Sequence, residues 1–138
     1  MAKATLPANV VDSSAWLEYL TAGAQAAHFA SAIEDSKRLI VPVIVLYEVF
    51  KKVLRERGEH EALQVAGVMH TGKVVPINAS LVLAAARYQL PMADSLIYAT
   101  AQHIGATVWT QDEDFNGLPG VQYFAKPAVR AATKVSRK

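Results

Sequence analysis

The chain of 138 residues contains no cysteine. That excludes a disulfide scaffold, a thiol nucleophile and a cysteine-based zinc site, and it fits a reducing compartment. No apolar run is long enough to span a membrane. The N-terminus has no basic segment followed by an apolar signal core. The expectation is a soluble, cytoplasmic protein without a membrane partner. The four histidines, His28, His60, His70 and His103, show neither ligand spacing nor a triad partner, so no chemistry is assigned to them. No repeat, linker or low-complexity stretch interrupts the chain before its last residues.

What is present suits one ordinary globular domain, with 52% hydrophobic and 19% charged residues. The net charge of +2 hides a segregation. Lys51, Lys52, Arg55 and Arg57 cluster mid-chain, and Lys126, Arg130, Lys134, Arg137 and Lys138 make the C-terminus basic. The expected division is a domain over 1–125 and a flexible basic tail over 126–138, with polyanions as candidate partners.

Short apolar runs at Asn9–Val11, Leu39–Val41, Val74–Val75 and Thr107–Thr110 read as buried strands, and Val121–Phe124 reads as an edge strand. Helical patterns separate them. One follows Ser13 or Ser14 as its cap, and others cover Ala26–Ile33, Val43–Arg57, Glu59–Thr71, Asn78–Gln89 and the stretch from Pro91 to Gly105. This alternation predicts an α/β domain: a central parallel sheet of four to five short strands with helices on both faces.

In open parallel sheets the ligand site lies beyond the carboxyl ends of the strands. Asp12 follows the first strand directly, and Asp112 comes two residues after the fourth. Glu48 sits in the second turn of the helix after the second strand, and Asp94 in the first turn of the Pro91 helix. Asp114 adds a fifth carboxylate. Each has an ordinary reading. Asp12 suits a helix N-cap, and Asp94 and Asp112 suit helix N-termini. Glu48 suits an exposed face with an i,i+4 partner in Lys52. Their joint arrival at one sheet edge is what points to a shared cause. Carboxylates without His or Cys suit Mg²⁺ or Mn²⁺, as one or two ions.

Four segments then resemble one family in order and spacing, from about Asn9 to Phe124. Val10-Val11-Asp12-Ser13-Ser14 is similar to the opening motif of PIN-domain ribonucleases. Pro42 to Val49, with Glu48, resembles their second acidic motif. Leu90 to Ala101, with Asp94, resembles the third, and Trp109 to Phe115, with Asp112 and Asp114, the last. Ser95 and Tyr98 stand where smaller residues are common. Within that family the small size resembles the VapC toxins of toxin–antitoxin pairs. The resemblance implies a metal-dependent endoribonuclease that cleaves structured RNA (tRNA or rRNA) with metal-activated water, leaving a 5′-phosphate and a 3′-hydroxyl. It implies Asp12, Asp94 and Asp112 as main ligands, Glu48 holding a second ion or orienting the water, and Asp114 as a ligand or support. Ser13 and Thr110 are candidates to hydrogen-bond these carboxylates or the phosphate, and Lys51, Lys52 and Arg55 to hold RNA phosphates. It further implies a VapB-type antitoxin, a homodimer and a toxin–antitoxin hetero-oligomer, with the Ala26–Ile33 helix and the helix from Val43 as candidate walls of the antitoxin groove, their apolar faces being equally open to a core reading. Trp16 and Trp109 read as core residues.

Three other readings stay open. A phosphoacceptor receiver domain also gathers acids around Mg²⁺, but needs an acidic pair after the first strand, where Ser13 and Ser14 follow Asp12. A haloacid-dehalogenase-type phosphatase needs Asp-x-Asp, which Ser14 breaks. A PIN-like module that binds RNA or protein without cleaving remains.

Overall fold

The structure, a computed structural model, describes residues 6–127. The start of the expected lead-in (1–5) and most of the expected basic tail (128–138) lie outside the described residues.

Five strands, β1 (Asn9–Val11), β2 (Leu39–Pro42), β3 (Lys73–Val75), β4 (Thr107–Thr110) and β5 (Val121–Tyr123), form one sheet in the order β3-β2-β1-β4-β5. Every pairing is parallel, with Val11 opposite Trp109 and Thr110 opposite Tyr123. The chain builds outward from β1 to β3, then returns to lay β4 on the other side of β1. The strand order therefore reverses between β1 and β4, and a crevice opens there beyond their carboxyl ends.

Among the described residues six α-helices connect the strands: α1 (Ser13–Leu20), α2 (Ala26–Ile33), α3 (Val43–Arg57), α4 (Glu59–Met69), α5 (Ala79–Ala85) and α6 (Met92–Ile104). Right-handed crossovers that step in opposite directions along a sheet put their helices on opposite faces. Accordingly α2 and α6 both pack on β1 and β4, one from each side. The sandwich explains why Val10, Val11 and Val108 are fully buried and why the strands lack polar alternation. Trp16, Phe29, Leu39, Met69, Ile97 and Phe115 fill the core around them. No helix among the described residues is long and apolar enough to cross a membrane.

The predicted elements are present, with local differences. Asp12, not Ser13 or Ser14, caps α1: its side chain accepts from the Ala15 N–H. An aspartate at the strand end already stands one residue before the first helical position, so the serines are left inside the helix. The predicted Asn78–Gln89 helix is shorter, because Asn78 caps it and it ends at Ala85. The chain then turns back so that Tyr88 meets Tyr98 edge-on at 4.9 Å between ring centres. The residue before Pro91 is also biased away from helical geometry. α4 stops at Met69, before the predicted Thr71. The following turn brings Gly72 against β2, where a Cβ would come within 2.8 Å of the Leu39 carbonyl oxygen. Gly105 ends α6 in the left-handed region at φ 79°, which glycine adopts without strain.

Candidate metal-binding active site

β1 delivers Asp12 to the crevice. Its main-chain N–H donates to the Trp109 carbonyl (3.1 Å), continuing the β1–β4 ladder by one residue. The side chain is buried, only 2% exposed, and both oxygens are engaged. Oδ1 accepts from the Ala15 N–H (2.9 Å) and the Ser14 hydroxyl (2.9 Å), and Oδ2 from the Thr110 hydroxyl (2.7 Å). Burial pushes its pKa up to about 6 against the downward pull of these bonds, and the Asp112 charge adds to the rise. Thr110 sits at the end of β4 and serves both strands, because its Oγ1 also accepts from the Asp112 N–H (2.8 Å).

Asp112 opens the turn after β4. It caps the 3-10 turn Glu113–Phe115 by accepting from the Asp114 N–H at 2.9 Å. Asp94 enters from α6, whose start has no side-chain cap hydrogen bond. Asp94 is therefore not spent on helix capping. One oxygen each from Asp94, Asp112 and Asp114 lie within 4.8 Å of one another. Burial, first, and then the charges of Asp112, Asp12, Asp114 and Glu48 push Asp94 up to about 7. All five predicted carboxylates thus act on one point. The closest trio contains Asp114 where the sequence suggested Asp12.

Glu48 projects from the second turn of α3. It does not pair with Lys52, which instead meets Glu56 at 2.9 Å. Glu48 is half-buried and accepts a short hydrogen bond from the Ser13 hydroxyl. Asp12, Ser13, Glu48, Asp94 and Asp112 line one open cleft, together with Lys51, Lys52 and Arg55 on its α3 side. Lys51 reaches the Tyr47 hydroxyl (3.2 Å) and lies over its ring.

A hard divalent cation fits this donor set. The trio offers carboxylate oxygens only, with no imidazole or thiolate, the preference of Mg²⁺ and Mn²⁺ over softer metals. Four like charges raise the pKa of Asp94, and no lysine or arginine pairs with the trio among the described residues. A bound cation would relieve that repulsion.

Sequence reasoning missed two contributors. Ser14 donates to both Asp12 oxygens, at 2.9 and 3.1 Å. Its signal was its place two residues past an acid at a helix start. Gln111 is buried beside Asp112 and accepts from Gln25 at 3.0 Å, across 86 residues of chain. No local pattern announces that contact. Of the two readings of α2, groove wall or core, the structure shows core: Phe29, Ala32 and Ile33 turn its apolar face inward. The open groove runs instead between α1, α3 and α4, lined by Leu17, Leu20, Val53, Val65 and Val68. Trp16 is fully buried, whereas Trp109 is half-buried and donates to Asn9.

The family model described as the PIN domain matches residues 10–121. No curated protein matches the sequence significantly. Solved structures share the fold. A toxin–antitoxin complex from Klebsiella pneumoniae is 22% identical with a TM-score of 0.69, covering 83% of this chain and 96% of that one. A sarcin–ricin-loop-cleaving VapC toxin from Mycobacterium tuberculosis is also 22% identical, with a TM-score of 0.67 over 83% and 97% of the two chains. A DNA-bound VapBC complex from Salmonella typhimurium is 14% identical, with a TM-score of 0.67 over 87% and 98%. The matched span runs from β1 to β5 and includes all five clustered carboxylates, so this chain belongs to the PIN domain family.

Proposed function

We propose that this protein is an Mg²⁺- or Mn²⁺-dependent endoribonuclease, the toxin of a toxin–antitoxin pair. The observation that carries the reading is the meeting of five carboxylates at the β1/β4 crevice, with three oxygens close enough to share an ion. Asp94, Asp112 and Asp114 would hold one ion, and Asp12 and Glu48 would complete its shell or hold a second. The bound ion supplies charge neutralisation at the phosphate and activation of the attacking water. Glu48, oriented by Ser13, turns the water toward the scissile phosphate. Thr110 fixes Asp12 and the Asp112 main chain together, so the two acids keep their spacing. Lys51, Lys52 and Arg55 take RNA phosphates on the α3 side. Hydrolysis leaves a 5′-phosphate and a 3′-hydroxyl.

The substrate is structured tRNA or rRNA, and the protein acts in the cytoplasm, as a homodimer held inactive by a VapB-type antitoxin. The groove between α1, α3 and α4 offers that antitoxin an apolar seat beside the cleft. The shared fold with VapC toxins supports this part of the reading. Sequencing of RNA 5′ ends after induction, and incubation of purified protein with cellular RNA with and without Mn²⁺, test it. The expected result is a small set of 5′-phosphorylated ends that vanish with EDTA. Binding of RNA with no cleavage under any divalent cation would leave a non-catalytic PIN module instead.

A further inference from the structure

Asp112 and Asp114 stand past the end of β4, so the sheet ladder does not hold them. Two side chains tie down the start of their turn. Thr110 holds it to β1, bonding both Asp12 and the Asp112 N–H. Gln111 holds it to α2. Its amide oxygen accepts from Nε2 of Gln25 (3.0 Å), which also donates to the Phe124 carbonyl (3.3 Å). We infer that Gln25 and Gln111 are positioning residues for the metal site: the clamp they form fixes Asp112 and Asp114 at the spacing from Asp94 that one divalent ion needs. The inference rests on the metal-dependent reading above.

The clamp is specific in its orientation. A carbonyl oxygen can only accept, so Phe124 turns the Gln25 NH2 toward itself. That NH2 presents its second hydrogen to Gln111, which must answer with its oxygen. Reversing either amide sets acceptor against acceptor or donor against donor. Both glutamines are buried, at 7% and 8% exposure, where an unpaired amide is costly. The anchor is itself held. Glu18 accepts from the Gln25 N–H at 2.8 Å, and Gly23 makes room for that carboxylate, since a Cβ there would clash with it. Phe124 stacks on His28, with 4.4 Å between ring centres, and meets Phe29 edge-on. Gln25 hydrogen-bonds to none of the five carboxylates, so it reaches the site only through Gln111 and the main chain. Ligands fixed in this way before an ion arrives need less ordering when it binds.

Gln25→Met keeps the side-chain length and removes both side-chain hydrogen bonds. Mn²⁺ binding to the full chain without RNA, read from the electron paramagnetic resonance signal of free Mn²⁺, tests the inference. Loss of a group that orients a metal ligand weakens metal binding by about ten- to a hundredfold. Gln25 acts through Gln111, so Gln25→Met should weaken it by about tenfold, the lower end of that range. Gln111→Leu, on the other partner, should do the same, and the double variant should show no further loss, because both changes remove one contact. In the cleavage assay, raised Mn²⁺ should restore the rate of Gln25→Met with the KM for RNA unchanged. Arg38→Met removes the bonds to Asp35 and Pro7 at the amino end of β2, and its Mn²⁺ binding should match the parent's. If Gln25→Met and Gln111→Leu bind Mn²⁺ as tightly as the parent while Asp94→Asn binds it more weakly, the clamp is only structural and the metal-site reading survives. If the parent itself binds Mn²⁺ no better than Asp94→Asn, the metal-site reading fails and the inference with it.

Discussion

Asp12 and Asp94 are the same residue type at the same crevice, yet they are held in opposite ways. Asp12 ends a central strand, is buried, and receives hydrogen bonds from Ala15, Ser14 and Thr110. Asp94 begins a surface-facing helix turn, caps nothing, and is surrounded by four other carboxylates. One is fixed by bonds that exist without an ion. The other is held in place by the packing of α6, against repulsion. The contrast separates a carboxylate that builds the site from one that waits for a cation. Functional sites often carry such a stability cost.

The strongest way to break the contrast is at the reaction. Asp94→Asn keeps the shape and removes one charge. RNA cleavage should fall by two or more orders of magnitude, about the loss seen when one electrostatic contact is removed from a catalytic site. A gel-based cleavage assay with Mn²⁺ reads this directly.

Asp12→Ala should be costly in a different way. It removes the α1 cap and leaves the Thr110 hydroxyl and Ala15 N–H without their acceptor in a buried place. The cost should be about 1–3 kcal/mol of folding stability, with or without metal. Denaturant titration of the metal-free proteins checks this. Asp94→Ala in the same titration should cost little or stabilise.

Both aspartates hold a proton more tightly in the folded state than in the unfolded one, with folded values of about 6 and about 7. Metal-free folding therefore takes up protons above the ordinary carboxylate range. Stability should be greatest below pH ~4 as far as these groups decide it, and should decline as pH rises toward about 7. In Asp94→Asn the decline should shrink and end near pH 6, where Asp12 has titrated. Thermal melts across pH in EDTA would show it, and a parent curve that rises between pH 5 and 7 would contradict it.

The smallest effect belongs to the cleft rim. Lys51→Glu/Lys52→Glu should lower the salt slope of RNA binding by about 0.7 per lost phosphate contact. Lys52 already pairs with Glu56, so Lys51 should account for most of the change.

The fold was legible because the central strands are short apolar runs and because α1, α3, α5 and α6 begin at an aspartate, an asparagine or a proline. Asp12, Asp94 and Asp112 were legible because each stands within three residues of such a boundary, and Glu48 because it lies in the second turn of the helix that follows β2. What escaped was set by distance in the chain. Asp114 was itself legible as a fifth carboxylate; only its place in the closest trio, where Asp12 was expected, depended on the three-dimensional course of the 3-10 turn Glu113–Phe115. Ser14 and Gln111 matter through partners that only the tertiary structure brings near. The Ala26–Ile33 helix showed an apolar face, but periodicity does not tell a face that meets the sheet from one that awaits a partner.

The central claim is that Asp94 belongs to a metal site whose anions repel one another until an ion binds. Thermal melts of the parent and Asp94→Asn, each with and without Mn²⁺, test it most directly. Ligands that bind only the folded state raise its stability. Asp94→Asn without metal should melt at or above the parent, and Mn²⁺ should raise the parent's melting temperature more than the variant's. A metal-free variant that melts lower than the parent, with an equal Mn²⁺ shift in both, would contradict the account and return Asp94 to the role of a helix-start carboxylate.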